Sequence, residues 1–187
     1  MKRLLMVLVL VVGIAALGTT IKPQSVEELT HSSTYVVAAH ALRSWTAWDP
    51  SHHIIYTYTQ FSVSASLKGN APSTILVRQM GGHLDGLEQK VAGVRQFSPG
   101  EDAVLFLHPG IADGSGSLAV TGLMQGYFHQ LETASGTKFT NAVLNVRPHE
   151  SVNVATPDSG ISAYSGSTLT YRDLQTRVQQ ALTKEAQ

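Results

Sequence analysis

The sequence predicts a mainly β fold: a small antiparallel barrel, preceded by a short helix and followed by an amphipathic one. Three observations carry that expectation. The stretch IIYTYTQFSVSASLKG, residues 54–69, reads as one long strand ending in a turn. Five or six strand-like runs are separated by glycine bends, the pattern of a small barrel. Helical patterns do not alternate with strands, which argues against an α/β layout.

In the long strand, Phe61, Val63, Ala65 and Leu67 alternate with Gln60, Ser62, Ser64 and Ser66. A period of two puts each set on its own face. A run this long exceeds the usual strand, and such strands commonly bend within a closed or rolled sheet. The first half breaks the alternation, because Ile54, Tyr56 and Tyr58 are apolar where serine would be expected. Both faces should be covered there, by the C-terminal helix, a loop or a partner. Lys68-Gly69-Asn70 supplies the turn.

Taken in order, residues 1–18 read as a secretory signal peptide. Met1-Lys2-Arg3 is a basic start, residues 4–17 are apolar, and Ala16-Leu17-Gly18 offers a cleavage site. The competing reading is a membrane anchor, but the span is short of the roughly 20 apolar residues a bilayer needs. The chain is therefore expected to be secreted or periplasmic, with no stable membrane insertion after cleavage. Residues 19–147 form the expected β domain. Ser25-Val26-Glu27-Glu28 matches a capping box and opens a helix at about 26–31. Residues 34–48 read as a strand, their many alanines leaving a helix as the alternative, and with the long strand they form a hairpin about Asp49-Pro50-Ser51. STILVRQM, residues 73–80, is a third strand. Residues 81–100 read as a long connection with at most a short strand near 88–91. AVLFL, residues 103–107, suits a central strand covered on both faces. Strands over 117–125 and 126–132 bend at Gly122 and Gly126. Lys138-Phe139 is expected to pair with 142–147 around Asn141. Residues 148–167, rich in Ser, Pro, Gly and Thr, read as a linker. In 168–187, Thr170-Tyr171-Arg172-Asp173 caps a helix with an apolar stripe of Tyr171, Leu174, Val178, Ala181 and Leu182.

The 187 residues suggest one main domain. Without cysteine there is no disulfide, thiolate nucleophile or cysteine metal site. Basic and acidic residues balance at 13 each, and losing Lys2 and Arg3 leaves 11 against 13. Nothing in that balance points to nucleic acid.

Several stretches carry a resemblance: Tyr35-Val36-Val37-Ala38-Ala39-His40-Ala41, Ile55-Tyr56-Thr57 through Leu67-Lys68-Gly69, Phe97-Ser98-Pro99-Gly100-Glu101 through Leu105-Phe106-Leu107, and Gly122-Leu123-Met124-Gln125-Gly126. Over residues 34–130 they resemble uncharacterised secreted bacterial proteins. More distantly they resemble the OB-type barrel of netrin and metalloproteinase-inhibitor modules. The resemblance implies an OB-like barrel. The inhibitor modules use an N-terminal cysteine and disulfides that this chain lacks, so no inhibitory residue carries over. The helix usual between the third and fourth OB strands is not evident in 81–99.

Histidine is the first place to look for chemistry. No H-E-x-x-H motif is present. His52-His53 reads as a pair of turn histidines. His83-Leu84-Asp85 is the one candidate for a metal or acid/base role, since its spacing can put imidazole and carboxylate on one face in a glycine-rich loop. A third group is missing. Glu101-Asp102 is explained by a turn. Gly114-Ser115-Gly116-Ser117-Leu118-Ala119 lacks the strand–helix context of a dinucleotide site. With no nucleophile elbow and no P-loop, no catalytic residue and no cofactor are assigned. Trp45, Trp48, Tyr56, Tyr58 and Phe61 concentrate in one hairpin. Trp48, Tyr56 and Tyr58 are the candidate binding surface. The expected function is a binding or interaction module for a protein, peptide or glycan. A hydrolase using His83 and Asp85 and a membrane-tethered domain are the alternatives.

Overall fold

The computed structural model describes residues 23–141 and 168–185. The expected signal peptide, the strand over 142–147 and the linker lie outside them. The fold is mainly β. Helix α1 (Val26–Ser32) precedes strands β1 (Tyr35–Trp48), β2 (Ile55–Lys68), β3 (Thr74–Met80), β4 (Gly82–Leu84), β5 (Leu87–Gln89), β6 (Asp102–Pro109), β7 (Leu118–Val120), β8 (Tyr127–Thr133) and β9 (Gly136–Thr140), and helix α2 (Tyr171–Glu185) follows.

Both helices begin as their sequences dictate. Ser25 Oγ accepts from the Glu28 amide at 3.1 Å, and Glu28 accepts from the Ser25 amide at 2.8 Å. Thr170 and Asp173 make the same reciprocal pair at 3.1 and 2.8 Å. Each box satisfies amides that the first turn leaves without partners.

The large sheet runs β1-β2-β3-β7-β6-β8-β9, and β1 also pairs with β6 from Tyr35↔Leu107 to His40↔Asp102. Pairings thus lead from β1 through β2, β3, β7 and β6 back to β1. All are antiparallel except β3 with β7, which are parallel at Val77↔Leu118. Two apolar clusters divide the faces. Val37, Ala39, Phe61, Ile75, Val77, Leu105, Leu107 and Tyr127 build the first. Phe97 joins it edge-on to Phe61 and Tyr127, with centroids 5.1 and 4.9 Å away. The second holds Val36, Val104, Phe106 and Phe128 beneath Val26 and Leu29 of α1 and Leu174 and Val178 of α2. Strand β6 feeds both clusters, as its unbroken apolar run predicts. Arg177 ties α2 to α1 by a bidentate pair with Glu27, at 2.7 and 2.8 Å.

The long hairpin is bent by three register shifts. Partners jump from Lys68 to Ser66 between Val36 and Val37, and from Ala65 to Val63 between Ala38 and Ala39. Between Ala41 and Arg43 they move only from Phe61 to Gln60, so Leu42 is the extra residue on β1. Each bulge turns the following side chains to the other face. The apolar set expected on one face of β2 is split accordingly: Phe61 and Val63 meet the first cluster, Leu67 the second.

Three expected segments differ. Residues 81–100 contain the β4–β5 hairpin, turned by Asp85 and Gly86 at φ +52° and +77°. These are the two positive φ values a tight type I′ turn needs. Only Leu118–Val120 of 117–125 is strand, because Gly122 and Leu123 also take positive φ and coil the chain. Lys138 and Phe139 pair with Leu131 and Gln130 of β8. Among the described residues no helix is long and apolar enough to cross a membrane.

Candidate functional site

The bulge at Leu42 decides which aromatic side chains face outward. Before it, Val37, Ala39 and Ala41 point into the first cluster. After it, Ser44 and Thr46 take the inner side: Ser44 bonds Thr59 at 2.7 Å, and Thr46 donates to the His83 carbonyl at 2.9 Å. Arg43, Trp45 and Ala47 therefore stand outward. With β2 and β3 they form the cross-strand rows Arg43–Gln60–Leu76, Trp45–Tyr58–Arg78 and Ala47–Tyr56–Met80.

The middle row is stacked. Trp45 lies nearly parallel to Tyr58, 5.8 Å between centroids and 13° between planes. The Arg43 guanidinium lies over the Trp45 ring at 5.1 Å, and its Nε–H donates to Gln60 at 2.7 Å. Arg78 covers Tyr56 at 4.6 Å and pairs with Asp113. Ser115 hydrogen bonds, then the Arg78 charge, hold the Asp113 carboxyl below its usual range. A recess of about 280 Å³ separates Tyr56, Arg78 and Met80 from His108 and Ile111. Trp45 and Met80 are each 40% exposed and Ile111 67%, on a face that neither helix covers. The 49–54 loop at one margin is closed by its own hydrogen bonds. Asp49 accepts the His53 and Ile54 amides at 2.6 and 2.7 Å, and these bonds hold its carboxyl low.

The structure divides the residues nominated from sequence. Tyr56 and Tyr58 share the outer face, Tyr56 buried beneath Arg78. Trp48 pairs with Ile55, a core residue, and so points to the opposite face. There its indole Nε1–H donates to Asp85 at 2.8 Å. The β4–β5 hairpin covers that inner side, with Gly82 against Thr57, Thr46 and Ile55. The expected cover over both faces of β2 thus comes from this hairpin and from Arg78 and Trp45, while α2 lies on the second cluster. His83 is exposed on β4, and Asp85 sits in the turn, bound to Trp48. Among the described residues no group of three or more His, Asp or Glu side chains could hold a metal ion.

One constellation escaped sequence reasoning. Arg95 donates to the Tyr127 hydroxyl and to Glu101, both at 2.6 Å, and Tyr127 donates to Glu101 at 2.8 Å. Burial, then Glu101, pushes the Tyr127 phenol well above its ordinary range. Burial, then Arg95, pulls the adjacent His129 down. The phenol proton is committed to Glu101, so the trio anchors the 95–101 loop and offers no free nucleophile. Tyr127 lies 32 and 26 positions from Arg95 and Glu101, and no local motif marks the contact.

No protein-family model matches this chain, and no curated protein is detectably similar to it.

Proposed function

We propose that this chain is an exported binding module, an OB-like barrel whose outer β1–β2–β3 face docks a protein or peptide. The barrel reading is supported by the circuit of pairings through β1, β2, β3, β7 and β6 with β3 parallel to β7. It gains from Phe97, which fills the interior where the usual helix is missing. In OB folds the second and third strands and two flanking loops hold the ligand. Here the corresponding loops are 49–54 and 110–117. Export rests on the basic start, apolar run and small residues of 1–18.

The observation that carries the docking reading is the composition of the outer face. Its three rows contain Trp, Tyr, Arg and Met and no Lys, Asp or Glu, the bias of a protein interface core. Trp45 already has Tyr58 and Arg43 against its ring, which suits insertion beside a partner side chain more than laying a sugar flat on an open ring.

Panning a random-peptide library on the exported protein tests this, with the Trp45→Ala/Met80→Ser double variant as counter-target. Retained peptides should lose binding to the variant while its melting temperature stays within a few degrees. Peptides that bind both equally, or no retained peptides, overturn the reading.

A further inference from the structure

We infer that the docked segment carries a carboxylate, an acidic side chain beside apolar residues, and that Arg43 receives it. This rests on the reading of the β1–β2–β3 face as a docking surface.

The inference starts from how the chain treats its guanidinium groups. Arg78 meets Asp113, Arg95 meets Glu101 and Arg177 meets Glu27. Each of these positioned guanidinium groups is answered by a carboxylate of the same chain. Arg43 lies against the Trp45 ring and donates to Gln60, so its partner is a neutral amide rather than a carboxylate. Among the described residues no carboxylate approaches it within ion-pair distance. Only its Nε–H is used, so both terminal amino groups remain as donors. Arg172, the other described arginine without a carboxylate, has no ring or amide fixing it.

A guanidinium restrained by a ring and an amide binds a carboxylate with less entropy lost per hydrogen bond than a free one. Its planar fork matches two carboxylate oxygens at once. The Asp113 carboxylate on the same face is committed to Arg78. Trp45 sits directly beneath the fork, and a partner that covers the indole also excludes water from the pair. An ion pair shielded in this way gains strength over one in open solvent. The outer face therefore asks for two things together: apolar side chains for Trp45, Met80 and the Ile111 recess, and one anionic oxygen pair for Arg43.

The peptides retained in the panning experiment supply the probes. Enrichment of Asp or Glu next to apolar residues is the expected result. One enriched peptide, fluorescein-labelled, is then titrated by anisotropy against wild type, Arg43→Ala, Arg43→Lys and Trp45→Ala. Affinity should fall about tenfold or more for Arg43→Ala, with partial retention in Arg43→Lys. Replacing the peptide's acid by its amide should cost wild type the same factor and cost Arg43→Ala nothing further. Peptides without acid, or unchanged affinity for Arg43→Ala with binding lost in Trp45→Ala, overturn the inference and leave the docking face standing. Affinity indifferent to both variants overturns both. Tetragalacturonate bound through Arg43 in preference to every peptide overturns the peptide assignment.

Discussion

Trp48 donates its indole N–H to the Asp85 carboxylate across 2.8 Å, fastening the end of β1 to the tip of the β4–β5 hairpin. Trp48→Phe keeps most of the ring and removes the donor. It should cost about 1 kcal/mol, the net worth of one hydrogen bond. Amide exchange should quicken in Gly82–Gln89 and stay unchanged in β6. Asp85→Asn keeps both an acceptor and a residue tolerant of positive φ, so it should be close to neutral.

Phe97 is buried between Phe61 and Tyr127 and comes from a loop without regular structure. Phe97→Ala should cost about 3–5 kcal/mol by denaturant unfolding, the range for truncating a buried aromatic ring. Gln79 holds that loop through the Phe97 amide and the Arg95 carbonyl. Gln79→Leu should therefore destabilise the same region by a smaller amount.

Gly82→Ala should be destabilising. A Cβ at Gly82 would stand 2.6 Å from Thr57 Oγ1 and 2.8 Å from Thr46, on a backbone with φ +144°. The hairpin must lift off β1 and β2 to admit it, at about 1–3 kcal/mol for overpacking. The readout is a lowered melting temperature together with a red-shifted Trp48 emission. Gly86→Ala meets no atom within 4 Å and should suffer only from its positive φ.

The Glu27–Arg177 pair makes stability depend on pH in acid. Hydrogen bonds from Arg177, then its charge, hold the Glu27 carboxyl at about 2 against an ordinary 4.5. A carboxyl depressed in the folded state stabilises fully above its unfolded value and loses that contribution as pH falls through its folded one. Wild type should therefore lose stability between pH 4.5 and pH 2. Glu27→Gln should lose less over that window, and the two curves should converge near pH 2. Parallel curves would mean that the pair contributes nothing to acid sensitivity.

Local signals were readable in the sequence and long-range ones were not. Ser25 with Glu28, and Thr170 with Asp173, cap their helices within four residues, so their spacing alone revealed them. The unbroken apolar run of β6 announced burial on both faces. Tyr56 and Tyr58 were recognised because period two is a property of the strand itself. That Trp45 rather than Trp48 faces outward is not legible locally, because the extra residue at Leu42 is defined only by what β2 places opposite. The Asp85-Gly86 turn is a local signal, but strands of three residues leave almost no periodicity around it. The Arg95–Glu101–Tyr127 trio joins positions up to 32 apart, and nothing in either neighbourhood marks the contact.

The odd spacing of Trp45 and Trp48 also makes the protein its own two-channel optical sensor. It has two tryptophans, three positions apart, and they face opposite sides of one strand. Light emitted by Trp45 registers what lands on the outer face, while Trp48 registers whether the hairpin beneath is seated. Single-tryptophan versions, one indole exchanged for phenylalanine at a time, assign each signal to its face without any added dye.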